Sequence, residues 1–525
     1  MFILILMFLS LNFIDSLSTK LKILDSMNMD LLVDVMLDSK SMYFLIILVC
    51  IVFNIYMFKN YYMNQEKKFF FFNFLFYWFV MSMIVIIYSN NWMIMILGWD
   101  MLGVSSYLLI VYYGNMSSFN SGFTTMNTNR LGDVFLISFI ALAMNKNLIN
   151  FSEKMNWFII FLVICLLTKS AQFPFSSWLP LAMAAPTPIS SLVHSSTLVT
   201  AGLFIFYKTD SMYSNYFLIL ILLMSMWTSI YSGLMGSLEL DMKKMIALST
   251  LSQLSFMFIS FSLGLIFLSF LHLLTHAIFK ASLFFWAGMN MHNLKSEQFF
   301  ISFNFMSHKM SKSFFFLIFI SLLGIPMSLG FYSKDQIIDI MKKNYSYFIN
   351  IIFTLSIFIT IIYTVRFMKK LTSMNFNKFN YKMIYFNLFN TNISLLFFSM
   401  LMLMSKYFNE HWFKSNYLMT TSGWKFFFLF TMMMLILINW FQFTTLKLNY
   451  FYKMTYINLF TMKILTINFF NKISKILYFD FGWLNKNSIS FMKNNFIFSM
   501  NIKKIATSKF NIMFIFSFIT MNYIL

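Results

Sequence analysis

The sequence predicts an all-α polytopic membrane protein, and three observations carry that prediction. Of its 525 residues 60% are hydrophobic and only 10% charged, where a soluble domain carries about 25% charged residues. Apolar runs recur along most of the chain at the roughly 17–25 residues that a bilayer crossing needs. Four of the five prolines, Pro174, Pro180, Pro186 and Pro188, gather between two such runs, which marks a helix broken inside the membrane.

Taken in order, candidate spans fall near 1–16, 39–59, 68–89, 91–113, 130–145, 156–172, 188–207, 214–236, 242–262, 263–288, 313–330, 346–368, 383–405, 424–445 and 507–525, about fifteen by length. Met1–Leu11 lacks a basic n-region and an Ala-x-Ala site, so it reads as a first span. Residues 17–38, with Asp15, Asp25, Asp30, Asp34 and Asp38 in or beside them, read as a short polar connection. Short loops join most spans, so 1–445 is one transmembrane bundle. Residues 446–506 hold no clean span and alternate Lys463, Lys472, Lys475, Lys486, Lys493, Lys503 and Lys504 with Phe, Ile and Leu. That pattern predicts an amphipathic helix lying along the membrane surface or along neighbouring subunits. Residues 507–525 then form a C-terminal anchor.

The net charge of +21 accompanies 73 Phe and 47 Met, a compositional drift, and is not read as a nucleic-acid face. Cys50 and Cys165 lie in apolar runs and read as core residues, with neither a disulfide nor a metal expected.

An ionisable side chain at the bilayer centre costs about 2.5–3.5 kcal/mol by insertion scales, so it persists where it is paired, hydrated or working. Asp100 sits between apolar stretches and reads as the partner of a buried lysine. Arg130 and Asp133, at i and i+3, can pair on one helix face or anchor a helix start. Lys169 closes an apolar run just before Pro174, which stops the helix and is expected to leave carbonyls for water. His194 adjoins Ser195, Ser196 and Thr197, a polar patch suited to a proton relay. His272, His276 and Lys280 follow at i, i+4 and i+8 on one helix face. No acid stands near them to complete a metal site, and a proton wire through two imidazoles to an amine fits the spacing. Lys334 and Asp335 follow Pro326 and a second break; Asp241, Lys243 and Lys244 open the run from Met242. Both sets read as interfacial anchors or supporting charges.

There is no phosphate-binding glycine loop, cysteine cluster or nucleophile with a placed base. The chain therefore reads as one that moves charge.

The stretch Thr168–Gly202, read with Gly98-Trp-Asp-Met-Leu-Gly, Asn129-Arg-Leu-Gly-Asp, Ala247–Leu254, His272–Gly288 and Gly324–Asp335, resembles the antiporter-like, proton-translocating membrane subunits of respiratory NADH dehydrogenase, complex I, shared with multisubunit sodium/proton antiporters. The resemblance implies inverted repeats with broken helices. It implies that Asp100 pairs with Lys169, that His194 lies between that site and the centre, and that His272, His276 and Lys280 form the centre of a hydrophilic axis. It implies that 446–506 is a lateral helix beside neighbouring antiporter-like subunits, in a multi-pass protein of the mitochondrial inner membrane. NAD, FMN, iron–sulfur clusters and ubiquinone would reside in other complex I subunits, with no cofactor in this chain, and its partners would be those subunits and membrane lipid. Two departures stand out: Ile384–Ser405 lacks the lysine that would mirror Lys169, and the N-terminus is one helix short. The mechanism implied is a switching ion pair: the Lys169 ammonium keeps its proton while Asp100 is close and gives it up when the pair opens. A stand-alone sodium/proton antiporter would use the same residues, and a passive membrane scaffold would use none.

Overall fold

The computed structural model describes residues 17–26, 29–64, 66–144, 158–293, 318–324 and 347–372, with isolated positions between 298 and 338. The expected spans at 1–16, 383–405, 424–445 and 507–525, the amphipathic stretch 446–506, Pro326 and Asp335 lie outside the described residues, and so does most of 313–330.

Residues expected to form a plain polar connection instead form an antiparallel hairpin, β1 (Leu17–Ser26) and β2 (Met29–Leu37), with one irregularity between Lys22 and Leu24. This corrects the all-α expectation locally. The reason is visible in β2, where Leu31–Leu37 is apolar but for Asp34 and includes the β-branched Val33 and Val35, residues that favour a strand. The register sets Lys20 opposite Asp34, an opposite-charge position that favours pairing.

The helices are α1 (Ser39–Tyr62), α2 (Phe69–Tyr88), α3 (Trp92–Ile110) and α4 (Met116–Met144). There follow α5 (Ile159–Lys169), α6 (Thr187–Lys208), α7 (Asn215–Leu238), α8 (Met242–Ser262), α9 (Ile266–Asn293) and α10 (Tyr347–Thr372). Among the described residues, eight helices are long and apolar enough to cross a membrane.

α4 starts well before the expected 130, because Ser118-Phe-Asn-Ser-Gly-Phe-Thr-Thr-Met-Asn-Thr-Asn reads as polar loop. In the structure the hydroxyls of Ser118, Ser121, Thr125 and Thr128 each donate to a carbonyl three residues back. They spend their polarity on their own helix.

Burial sorts the bundle. The apolar windows of α6, α8 and α9 are 100%, 94% and 89% buried, against 44–56% for α1, α2, α3 and α7. Three helices therefore form the centre, and the others shield them. α7 packs on α8 and α10, α4 on α3 and α5, and α9 on α8, α1 and the middle of α6. A side chain at Gly132 would collide with Thr168 Oγ1 and reach the Cys165 carbonyl at 3.5 Å. Glycine there lets α4 close onto the last turn of α5, and it sets Asp133 beside the break.

Candidate functional site

Lys169 is the last residue of α5, and the helix ends by its own backbone rather than by Pro174. The Gln172 N–H donates to Leu167 O at 3.1 Å and the Ala171 N–H to Thr168 O at 3.3 Å, with Ala171 at φ 55°. This is a Schellman stop with alanine in the left-handed position that glycine prefers. The Trp178 indole N–H adds a second donor to Thr168 O at 3.0 Å, and Ser170 N and Oγ both reach Leu166 O. The carbonyls expected to stay open for water are thus taken by protein donors. A one-turn helix, Trp178–Leu181, bridges to α6, whose Pro188 sits in the first turn, where its missing N–H costs no bond.

In α6 the ladder slips into a π-turn at Val193–Thr197, which carries His194. Thr197 Oγ1 donates back five residues to Leu192 O at 2.9 Å, and Ser195 and Ser196 bond Ser191 O and Leu192 O. Hydroxyls that capture carbonyls this way loosen the i−4 pattern. They are committed to the helix, so the polar patch expected to order water is a backbone device. His194 is fully buried, and among the described residues neither ring nitrogen has a hydrogen-bond partner. Its ring lies 6.2 Å from that of Trp178, so one indole links the α5 stop to the π-turn.

Lys169 is fully buried. Its ammonium donates to Trp99 O at 2.5 Å and lies 3.9 Å from the centre of the Trp99 ring. The expected Asp100–Lys169 pair is not formed. Asp100 instead meets Arg130 at 3.5 Å, and Arg130 also holds Asp133 at 3.2 Å. Successive residues on α3 point about 100° apart, so the turn that aims the Trp99 carbonyl at Lys169 carries Asp100 round to Arg130. Asp133 is 7% exposed, against 40% for Asp100, so it is the more deeply buried of the two acids. Arg130 and Asp133 lie in the middle of α4, so they are not a helix-start anchor.

His272, His276 and Lys280 share one face of α9 and all are fully buried. Their partners come mostly from other segments. Lys280 donates to Ser249 Oγ at 2.6 Å. His272 meets Ser333 Oγ at 2.7 Å through Nδ1 and Gln253 Oε1 at 3.3 Å through Nε2. His276 stands 6.4 Å from His272, ring centre to ring centre, edge-on to Phe279, with neither nitrogen hydrogen-bonded. The spacing placed the three correctly, but no bond joins one to the next. Lys334 is partly buried and donates to Leu322 O, inside the bundle rather than at an interface. Asp241 and Lys244 pair at 2.7 Å at the start of α8, as anchors would. Lys243, expected to be an anchor beside them, turns inward: it is 5% exposed and holds Ala185 O at 3.0 Å just ahead of α6.

Two further lysines were silent in the sequence. Lys208 ends α6 and donates to Ile87 O and Ser89 O at 2.6 Å each, capping α2. Lys59, fully buried, sits between Phe76, Tyr56 and Tyr77 with ring centres at 4.2–4.6 Å. Each stands near the end of an apolar run, where lysine ordinarily reaches outward.

Among the described residues, buried cations and imidazoles lie on central helices shielded by apolar ones, the arrangement that the resemblance to antiporter-like membrane subunits implies. The family described as "NADH:quinone oxidoreductase/Mrp antiporter, TM" matches residues 89–360, and the chain belongs to it. A Caenorhabditis elegans protein named NADH-ubiquinone oxidoreductase chain 5 is 37% identical over 349 residues, 64% of this chain and 65% of that one. The Anopheles arabiensis protein of the same name is 40% identical over 62% of this chain and 88% of its own. A solved Mrp complex from Dietzia sp. superposes with a TM-score of 0.66 at 17% identity, over 97% of this chain and 57% of that one. The match thus spans just under two thirds of the nematode chain, and the solved complex establishes likeness of fold.

Proposed function

We propose that this chain is a proton-translocating membrane subunit of a respiratory NADH:ubiquinone oxidoreductase in the mitochondrial inner membrane. Its partners are the other subunits of that complex, above all neighbouring antiporter-like ones, together with lipid. NAD, FMN, iron–sulfur clusters and ubiquinone belong to those subunits, and their redox chemistry drives the pump.

The observation that carries this reading is the row of buried titratable groups: Lys169 at the first break, His194 in the π-turn, and Lys280, His276 and His272 on α9. Nothing in a structural scaffold calls for five such groups in its driest layer, where each is costly. Moving one charge against 100 mV takes about 2.3 kcal/mol. Lys169 holds no carboxylate in contact, only a carbonyl and an indole face, so a modest shift of Asp133 or Arg130 alters its hold on a proton by that order. The switching element is therefore the Asp133–Arg130–Asp100 set, with Asp133 as the more deeply buried acid.

A stand-alone sodium/proton antiporter is the second reading, favoured by the likeness of fold to the Mrp complex. The two separate in proteoliposomes. The pump reading expects Lys169→Ala to lower the protons moved per electron while NADH oxidation persists, and expects the isolated chain to exchange nothing. Sodium-driven proton exchange by the isolated chain would favour the antiporter; an unchanged proton yield in Lys169→Ala would remove both.

A further inference from the structure

The hydrogen bonds around His272 have a direction that can be worked out from one end. Ser252 Oγ donates to Ser249 O at 3.0 Å, and a backbone carbonyl can only accept. Its single proton being spent, Ser252 accepts from Tyr363 OH at 3.0 Å. Tyr363 has then used its own proton, so its oxygen accepts from the Gln253 amide Nε2 at 3.4 Å. That turns the Gln253 carbonyl toward His272 Nε2, 3.3 Å away. An amide oxygen only accepts, so His272 carries its proton on Nε2 and keeps its lone pair on Nδ1. Ser333 completes the sequence: its hydroxyl lies 2.7 Å from Nδ1 and 3.4 Å from Gly330 O, so the shorter contact takes the proton. All six residues from Ser249 to Ser333 that make these bonds are buried.

We infer that Tyr363 and Gln253 are positioning residues that lock neutral His272 as the Nε2–H tautomer, with its basic nitrogen facing Ser333. The inference rests on the pump reading above and gives one of its stations a side. A proton reaches His272 only at Nδ1: the Ser333 hydroxyl gives its proton to the ring as it takes one from a hydronium or ammonium donor, so that serine is left neutral and the ring becomes an imidazolium. The Nε2 proton stays against Gln253 and cannot go on to His276 until that amide turns. Among the described residues, the charged and titratable groups nearest the ring are His276, 6.4 Å away between ring centres, Lys280 one turn further along α9, and Lys334 next to Ser333 in sequence. Gly233 lets α7 approach α10, since a Cβ there would strike the Ile359 side chain, one turn before Tyr363, and would meet the Tyr363 ring at an ordinary contact distance of 3.9 Å.

The test uses the assembled complex in proteoliposomes, with NADH oxidation and complex abundance as controls. Tyr363→Phe keeps the ring and removes the acceptor; Ser252→Ala, a smaller change, frees Tyr363 to donate to Gln253 and turn the amide. Both are expected to lower protons moved per electron by an amount comparable to Lys280→Ala, and to shift its pH profile. Adding Gln253→Glu to Tyr363→Phe is expected to restore much of the yield, because either carboxylate oxygen accepts from Nε2 without needing orientation. An unchanged yield and pH profile in both single variants, or a loss that Gln253→Glu leaves untouched, would overturn the tautomer lock. An unchanged yield in Lys280→Ala would overturn the pump reading itself.

Discussion

A lysine kept inside a membrane protein needs its charge answered. Lys169 meets that need with one carbonyl and one indole face, while Asp133 and Asp100 both answer Arg130, the first nearly buried and the second half-exposed. The two acids therefore differ in weight. Asp133 is nearly buried while its partner Arg130 is half-exposed, and the Asp100–Arg130 pair, exposed on both sides, is worth about 0–1 kcal/mol. Asp133→Asn is expected to depress proton yield severely and Asp100→Asn only slightly, read as protons per electron in reconstituted membranes; equal losses, or the reverse order, would return Asp100 to the role its sequence suggests. Ala171, at φ 55°, supplies a second residue-scale prediction. The left-handed region costs a residue with a Cβ about 1–2 kcal/mol, so Ala171→Gly should raise the thermal stability of the bundle by about 1 kcal/mol.

At the scale of elements, the break between α5 and α6 is held by parts distant in sequence. Lys208 fastens the far end of α6 to α2 through carbonyls at residues 87 and 89, and Lys243 on α8 holds residue 185. A hydrogen bond from a charged donor contributes about 1.5–3 kcal/mol, and losing it leaves the carbonyls bare. Lys208→Met should destabilise the membrane arm by an amount in that range, read as a lower unfolding midpoint in thermal aggregation of the detergent-solubilised complex. Gly132→Val should do the same by overpacking, at a cost of about 1–3 kcal/mol, because its side chain would strike Thr168 on α5. If Lys208→Met left the midpoint unchanged, the cap would be an ornament of the α2 end.

Across the whole molecule, the spans were legible and the partners were not. Expected runs at 39–59, 188–207, 214–236, 242–262 and 346–368 match α1, α6, α7, α8 and α10 to within about four residues, because hydropathy alone decides what lipid accepts. α4 was cut short, since hydroxyl-rich helix and hydroxyl-rich loop look alike until the side chains are seen bonding backward. The hairpin was hidden because its charges, Lys20, Lys22, Asp25, Asp30 and Asp34, make the stretch look like a polar connection. The candidate site was legible as a set of residues: an unusual charge in an apolar run is visible at any scale of reading. Its wiring was hidden, because Lys169 looks to Trp99 and Ser252 to Tyr363, pairs set by packing and not by spacing. The inward turn of Lys59, Lys208 and Lys243 was hidden for the opposite reason, each sitting where lysine ordinarily points outward. What unites these parts is a dry centre of α6, α8 and α9 carrying protonatable groups inside an apolar shell. The most direct measurement is the number of protons moved per electron by the assembled complex with Lys280→Ala in this chain. A reduced yield with NADH oxidation retained is expected, and a yield equal to that of the unaltered complex would contradict proton passage through this centre.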